Sequence, residues 1–326
     1  MLSFLLLVVG LVLLLAGGAA LVRGASGIAE SYGVSPLVVG LTVVAFGTSS
    51  PELVVNIIGA LRGETDIAFG NIAGSNLANL GLVLGSAALI TPIAIQSQII
   101  RRELPLLLLA TIMLMVMTLD SFLRGFNPIL DRSDGLILLL TFGIFVYIMV
   151  LDFMRQQADP LLASIDTLSP ELSQSSAKDW CFVIGGIAGL GMGGEMSITN
   201  GIELAEILGV TTTVVGIAVI AIGTSLPELV TSIIAAMRKE ADLCVGNVIG
   251  SNIFNTLMVL PVSALVYPLS IPSGGTTDII VTFFFAAALI PVFIFRNKIM
   301  SRLSGGIFVA AYLGYMIFRV STSSPA

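Results

Sequence analysis

The chain is written as long apolar blocks separated by short polar gaps. A helix rising 1.5 Å per residue needs about 20 apolar residues to cross a hydrocarbon core of roughly 30 Å. Ten blocks approach that length: 2–22, 37–61, 67–90, 104–119, 135–151, 180–199, 211–237, 243–267, 278–295 and 303–320. The fourth is short, and the second and eighth are long. This pattern predicts an all-α integral membrane protein with ten transmembrane helices. The only long polar stretch, 152–179, carries Asp152, Arg155, Asp159, Asp166, Glu171, Lys178 and Asp179 among Ser, Gln and Pro residues. It divides the chain almost in half and reads as a short linker. The expected organisation is five spans in 1–152, a cytoplasmic linker over 153–179 and five spans in 180–326.

Composition agrees with this reading. Of 326 residues 56% are apolar and 10% charged, and the mean hydropathy is +1.06. A nucleic-acid binder needs basic patches, whereas 14 Lys+Arg face 20 Asp+Glu here with no basic run, so nucleic-acid partners are excluded. Sorting basic residues by alternate loops puts Arg23, Arg101, Arg102, Arg155, Lys178, Arg238, Lys239, Arg296, Lys298 and Arg302 on one side. Arg62, Arg124, Arg132 and Arg319 fall on the other. The positive-inside rule then places both termini outside. No basic residue precedes the first apolar run, and Arg23 follows it, which fits a retained outside-to-inside span and not a cleaved leader. A compact chain of this kind suits a prokaryotic plasma membrane. Histidine is absent, and Cys181 and Cys244 lie in apolar stretches as small core residues, so zinc chemistry and histidine proton relays are not expected.

The chain repeats itself. A shift of 176 residues aligns 33–84 with 209–260 without a gap, and 28 of the 52 pairs are identical. Shared hydrophobicity cannot produce that, because the identities gather on small and polar residues, among them Gly47/Gly223, Asp66/Asp242 and Asn71/Asn247. Five spans per half is an odd number, so the second copy enters the membrane from the opposite side. Inverted repeats of this type place a substrate site near the midplane, where helices break.

Two interruptions mark those breaks. The first copy reads G-T-S-S-P-E over 47–52 and G-N-I-A-G-S-N-L-A-N over 70–79; the second reads G-T-S-L-P-E over 223–228 and G-N-V-I-G-S-N-I-F-N over 246–255. Glu52 and Glu228 lie deep inside apolar spans, where an ionised carboxylate costs at least a few kcal/mol unless a partner or a wet cavity receives it. No Lys or Arg stands at matching depth, so a proton, solvent or a bound cation must supply the counter-charge. Pro51 and Pro227 each remove a backbone donor and disturb carbonyls a turn earlier. Thr48 and Glu52, like Ser75 and Asn79, are four residues apart and share a helical face. Carboxylates, hydroxyls, amides and freed carbonyls form an all-oxygen set that suits Ca²⁺ and Na⁺. The S-x-x-E pattern is also a capping box, yet a cap does not explain an acid at depth repeated in an inverted copy. Asp66, Asp242, Asn71 and Asn247 sit near span ends and read equally well as helix caps or interfacial residues. Gly185, Gly189 and Gly193 on the sixth span, and Ala16, Ala20 and Gly24 on the first, form stripes that permit close helix packing and, more sharply, sliding.

G-T-S-x-P-E with G-S-N-x-x-N, once per inverted half, resembles the two alpha repeats of the sodium/calcium exchangers in the calcium/cation antiporter superfamily, in its prokaryotic form. The resemblance implies an ion site at Ala45 (carbonyl), Thr48, Ser49, Glu52, Ser75 and Asn79, matched by Ala221 (carbonyl), Thr224, Ser225, Glu228, Ser251 and Asn255. It further implies that the first and sixth spans slide across the remaining bundle, and that three Na⁺ exchange for one Ca²⁺ without any cofactor. Asn255 stands where some relatives carry Asp; an acid there supports K⁺ binding in the potassium-dependent branch, so Asn255 points to potassium independence. The large cytoplasmic calcium-sensing domains of eukaryotic members have no counterpart in the short central linker.

The expected function is therefore an antiporter and not an enzyme, with Ca²⁺, Na⁺ and the lipid bilayer as its partners and no protein partner implied. A Ca²⁺/H⁺ exchanger is the nearest competitor, since a desolvated glutamate can carry a proton. A cation channel would use the same oxygens but needs a continuous pore. An intramembrane protease typically wants an Asp pair and leaves the Thr, Ser and Asn copies without a role.

Overall fold

A computed structural model describes residues 2–123, 125, 128–157, 177–207, 223–295 and 298–323. Most of the predicted linker and Ala221 lie outside them. The apolar blocks form helices: α1 (Leu2–Tyr32), α2 (Pro36–Thr48), α3 (Ser50–Leu61), α4 (Thr65–Ile90), α5 (Leu104–Met117) and α6 (Arg132–Gln157). After the linker come α7 (Ala177–Ile207), α8 (Leu226–Met237), α9 (Ala241–Val266), α10 (Gly275–Phe295) and α11 (Arg302–Ser323). Seven of these helices are long and apolar enough to cross a membrane, and α2 with α3, bent by 45° at Ser49, makes an eighth. The fourth expected span is α5, whose 14 residues continue directly from a π-helical turn over Ile99–Glu103. Of the seventh, 211–237, only its end from Gly223 onward is described.

The central helices are α4 and α9. Their apolar windows are 78% and 83% buried, against 22–35% for the other spanning helices, so other helices surround these two while the rest turn a face outward. That outward face carries the large apolar residues a bilayer solvates, such as Leu140, Ile184 and Ile317. Both central helices contain one π-helical turn, at Asn79–Val83 and Asn255–Val259, in equivalent positions under the 176-residue shift. Such turns widen a helix locally and recur at functional sites.

Two short antiparallel ribbons tie the halves together. Ile93–Ala94 (β1) pairs with Ile299–Met300 (β4), and Ile129–Leu130 (β2) pairs with Leu269–Ser270 (β3). Leu269 is the repeat equivalent of Ile93, so each copy of this strand takes its partner from the other half.

Helices α1 and α7 run antiparallel against one another along most of their length. Their contact face differs from the predicted stripe. A Cβ on Gly17 would meet Leu190 N at 2.7 Å, one on Gly24 the Asp179 carbonyl at 2.6 Å, one on Gly186 Leu21 N at 2.6 Å and one on Gly193 Leu14 N at 2.6 Å. Gly185 has nothing within 4 Å of its Cβ position. The close approaches therefore recur every seven residues, at Gly10, Gly17 and Gly24 on α1 and at Gly186 and Gly193 on α7, with Gly189 between. Two long helices wrapping around each other keep a 3.5-residue contact period, and a four-residue stripe drifts off that face.

Candidate functional site

The site forms where the two bent segments meet the two central helices. Ser49 (φ −89°, ψ 6°) and Ser225 (φ −86°, ψ 5°) hold the same non-helical backbone just before α3 and α8. Pro51 and Pro227 lie in the first turn that follows, where a missing N–H costs nothing. Glu52 and Glu228 fall in those same first turns, where the positive end of the helix dipole favours an anion. The break therefore aims both acids inward, and both have zero solvent exposure.

Around them the structure gathers residues from both halves. Thr48, Ser49, Ser75, Asn79, Ser225, Ser251 and Asn255 are buried, and Thr224 is half-buried. Ser49 Oγ donates to Glu228 Oε1 at 2.8 Å. The Ala45 carbonyl is engaged locally, accepting from Ser49 N at 3.0 Å and more weakly from Thr48 Oγ1 at 3.4 Å. Both oxygens of Glu52, Glu228 Oε2, Asn79 Oδ1, Ser225 Oγ and both side-chain polar atoms of Asn255 are buried without a hydrogen-bond partner. Neither glutamate forms an ion pair with any described residue.

Asn71 and Asn247, whose positions near span ends also suit caps, belong to this cluster. Asn71 Oδ1 accepts from Thr224 Oγ1 at 3.1 Å, and Asn247 Oδ1 accepts from Thr48 Oγ1 at 3.1 Å. Each amide is oriented by its other end, since Asn71 Nδ2 donates to Asn56 Oδ1 at 2.7 Å and Asn247 Nδ2 to Ser232 Oγ at 2.9 Å. Asn56 and Ser232 are themselves repeat equivalents. Taking the threonine proton leaves lone pairs on Thr48 and Thr224 for the site, where otherwise the hydroxyls could donate to a carboxylate. Ser75 and Thr224 lie 3.1 Å apart, as Thr48 and Ser251 do at 3.5 Å. The signal in the sequence is the retention of Asn at both repeat positions; the threonine that each one accepts from is out of its reach because that partner comes from the other half. Asp66 and Asp242, by contrast, lie in the first turns of α4 and α9 outside the cluster, Asp66 exposed and Asp242 accepting from Gln96 Nε2 at 2.8 Å.

A second amide chain joins the halves. Asn79 Nδ2 donates to Asn252 Oδ1 at 3.0 Å, Asn252 Nδ2 to the Asn76 carbonyl at 3.1 Å, and Asn76 Nδ2 to Thr256 Oγ1 at 2.8 Å. It turns Asn79 so that its oxygen is the free atom. Buried polar groups in native proteins are normally satisfied, so this set of unpartnered buried atoms, most of them oxygens and three of them carboxylate oxygens, suits a ligand that brings positive charge. Among the described residues no group of three His, Cys, Asp or Glu could hold a metal ion, so hydroxyl and amide oxygens must complete any cation shell here.

The apolar helices and their outward faces define a multi-pass integral membrane protein. Comparison with known proteins makes this specific: the chain belongs to the sodium/calcium exchanger protein family, whose model matches residues 2–151 and 178–321. It is 38% identical to the inner membrane protein YrbG of Escherichia coli (strain K12), over 81% of this chain and 79% of that one. It is 30% identical to the sodium/calcium exchanger MaX1 of Methanosarcina acetivorans, over 97% of both. Its fold is similar to that of the sodium-calcium exchanger NCX_Mj soaked with 2.5 mM Na⁺ and 0.1 mM Ca²⁺, with a TM-score of 0.82, 29% identity and coverage of 100% of this chain and 99% of the other.

Proposed function

We propose that this protein is a Na⁺/Ca²⁺ antiporter in which Glu52 and Glu228 bind one Ca²⁺ or several Na⁺ in alternation. The observation that carries this reading is the pair of fully buried carboxylates with no basic partner among the described residues, set among buried polar atoms several of which have no hydrogen-bond partner. Thr48, Ser49, Ser75, Asn79, Thr224, Ser225, Ser251 and Asn255 complete the shell, with the carbonyls of Ala45 and Ala221; Ala221 lies outside the described residues. Ca²⁺ neutralises the two acids. Three Na⁺ leave one positive charge, so a 3:1 cycle moves one charge across the membrane, about 2.3 kcal/mol per 100 mV. With Asn255 in place of an acid, the exchange is independent of K⁺.

The architecture in this reading is ten spans in two inverted five-helix repeats, joined by a cytoplasmic linker, with both termini outside a prokaryotic plasma membrane. The reciprocal strand pairing, the matched π turns and the matched Asn–Thr bonds support it. Alternating access comes from α1 and α7 moving as a pair across the bundle. The test is ⁴⁵Ca²⁺ uptake into purified proteoliposomes with Na⁺, K⁺ and pH gradients imposed one at a time. Uptake driven by an outward Na⁺ gradient alone is expected; uptake driven only by a pH gradient in sodium-free buffer would overturn sodium coupling.

A further inference from the structure

The amide chain that joins the halves is lopsided. Asn76 and Asn252 are equivalent under the 176-residue shift, as are Asn79 and Asn255, and all four are buried. Asn79 Nδ2 donates to Asn252 Oδ1 at 3.0 Å. The mirror image of that bond would run from Asn255 Nδ2 to Asn76 Oδ1. It is not made, and both of those atoms are buried without a hydrogen-bond partner. The second bond of the chain breaks the mirror in the same place: Asn252 Nδ2 donates to the Asn76 carbonyl at 3.1 Å, whereas Asn76 Nδ2 donates to Thr256 Oγ1 at 2.8 Å.

The two sequences differ at the residue responsible. Thr256 is the second residue of the π turn Asn255–Val259, and its equivalent in the turn Asn79–Val83 is Leu80, which offers no side-chain acceptor. Thr256 is itself buried, so Asn76 and not water takes its oxygen. An amide is planar, with its donors and its oxygen on opposite arms, so fixing the nitrogen also fixes where the oxygen points.

We propose that Thr256 is a positioning residue: by holding the Asn76 amide it prevents the mirror bond, leaving one asparagine ligand fixed and the other adaptable. This rests on the antiport reading above, in which Asn79 and Asn255 are both ligands. Asn79, tied by its nitrogen, presents only its oxygen. Asn255, tied at neither end, turns its oxygen to a bound cation and is free to turn its N–H toward an oxygen when the cation leaves. Ordering an untied side chain on binding costs affinity. The asymmetry therefore weakens the grip of the site, which suits a carrier that must also release its ion.

The test removes the acceptor and keeps the shape. In Thr256→Val the Asn76 amide loses its partner, and a crystal structure of the variant without added Ca²⁺ is expected to show Asn255 Nδ2 within hydrogen-bond distance of Asn76 Oδ1. Titration calorimetry on the purified protein is expected to show Ca²⁺ bound about fivefold more tightly than in wild type, the order of one neutral hydrogen bond. Thr256→Leu, which copies Leu80, is expected to do the same, so the result does not hang on one variant folding. Thr256→Ser keeps the acceptor and is expected to keep the wild-type Kd. In Thr256→Val combined with Asn76→Ala the oxygen that receives Asn255 is gone, and the gain is expected to vanish. Ca²⁺ bound no more tightly in Thr256→Val and Thr256→Leu than in wild type overturns the proposal, as does a gain that persists without Asn76 or a variant structure lacking the mirror bond. Absence of sodium-driven ⁴⁵Ca²⁺ uptake in wild type defeats the antiport reading instead, while the crystal structure still reports whether Thr256 keeps Asn255 and Asn76 apart.

Discussion

Two glutamates that look equivalent in the sequence differ in their surroundings. Glu228 accepts a hydrogen bond from Ser49, whereas both oxygens of Glu52 lack a partner, although Ser225 occupies the matching position. In the proposed mechanism both acids balance the divalent ion, so Glu52→Gln and Glu228→Gln are each expected to reduce sodium-driven ⁴⁵Ca²⁺ uptake to background; full activity in either variant would remove that acid from the mechanism. The asparagines act one step further out. Asn71→Leu and Asn247→Leu free Thr224 and Thr48 to donate to a carboxylate, and each is expected to weaken Ca²⁺ affinity by about tenfold, the order of one buried hydrogen bond to a charged group. Titration calorimetry on the purified protein checks this, and unchanged affinity in both variants would make these bonds merely structural.

Among the elements, the α1–α7 contact depends on backbone meeting backbone. A Cβ on Gly193 would sit 2.6 Å from Leu14 N, and a main-chain atom cannot swing aside as a side chain can. Gly193→Leu is therefore expected to force the pair apart, costing roughly 1–3 kcal/mol and lowering the thermal unfolding midpoint in detergent. Gly185→Leu, on the open face, is expected to leave the midpoint near wild type. Equal losses in both variants would restore the predicted stripe of 185, 189 and 193. The breaks at Ser49 and Ser225 are legible in the chain because Pro beside a polar run inside an apolar block disrupts the helix, and a bilayer tolerates freed backbone groups only where protein or a wet cavity receives them. The π turns at Asn79 and Asn255 are not legible, since nothing in G-S-N-x-x-N distinguishes a wide turn from an ordinary one.

For the whole molecule, a 3:1 cycle makes transport electrical. Voltage clamped negative on the side that Na⁺ enters is expected to speed Ca²⁺ movement the other way, and valinomycin-imposed potentials of opposite sign are expected to shift uptake in opposite directions; indifference to potential would point to an electroneutral stoichiometry. In the proposed site Ca²⁺ would be bound by residues of both halves and so hold them together. At one hundred times its Kd, it is expected to stabilise the folded protein by about 2.7 kcal/mol, and added Na⁺ is expected to compete that gain away. The apolar blocks, the duplication and the two acids at depth can all be read from the chain alone, because hydropathy and spacing fix how deep a residue lies and which neighbours share its helix face. Folding adds which buried oxygens are left without partners, the hydrogen bonds that Thr224 and Thr48 donate to Asn71 and Asn247, and the glycines that touch across α1 and α7. Many of those contacts join residues more than 140 positions apart, and no local pattern encodes a partner that arrives only when the halves pack.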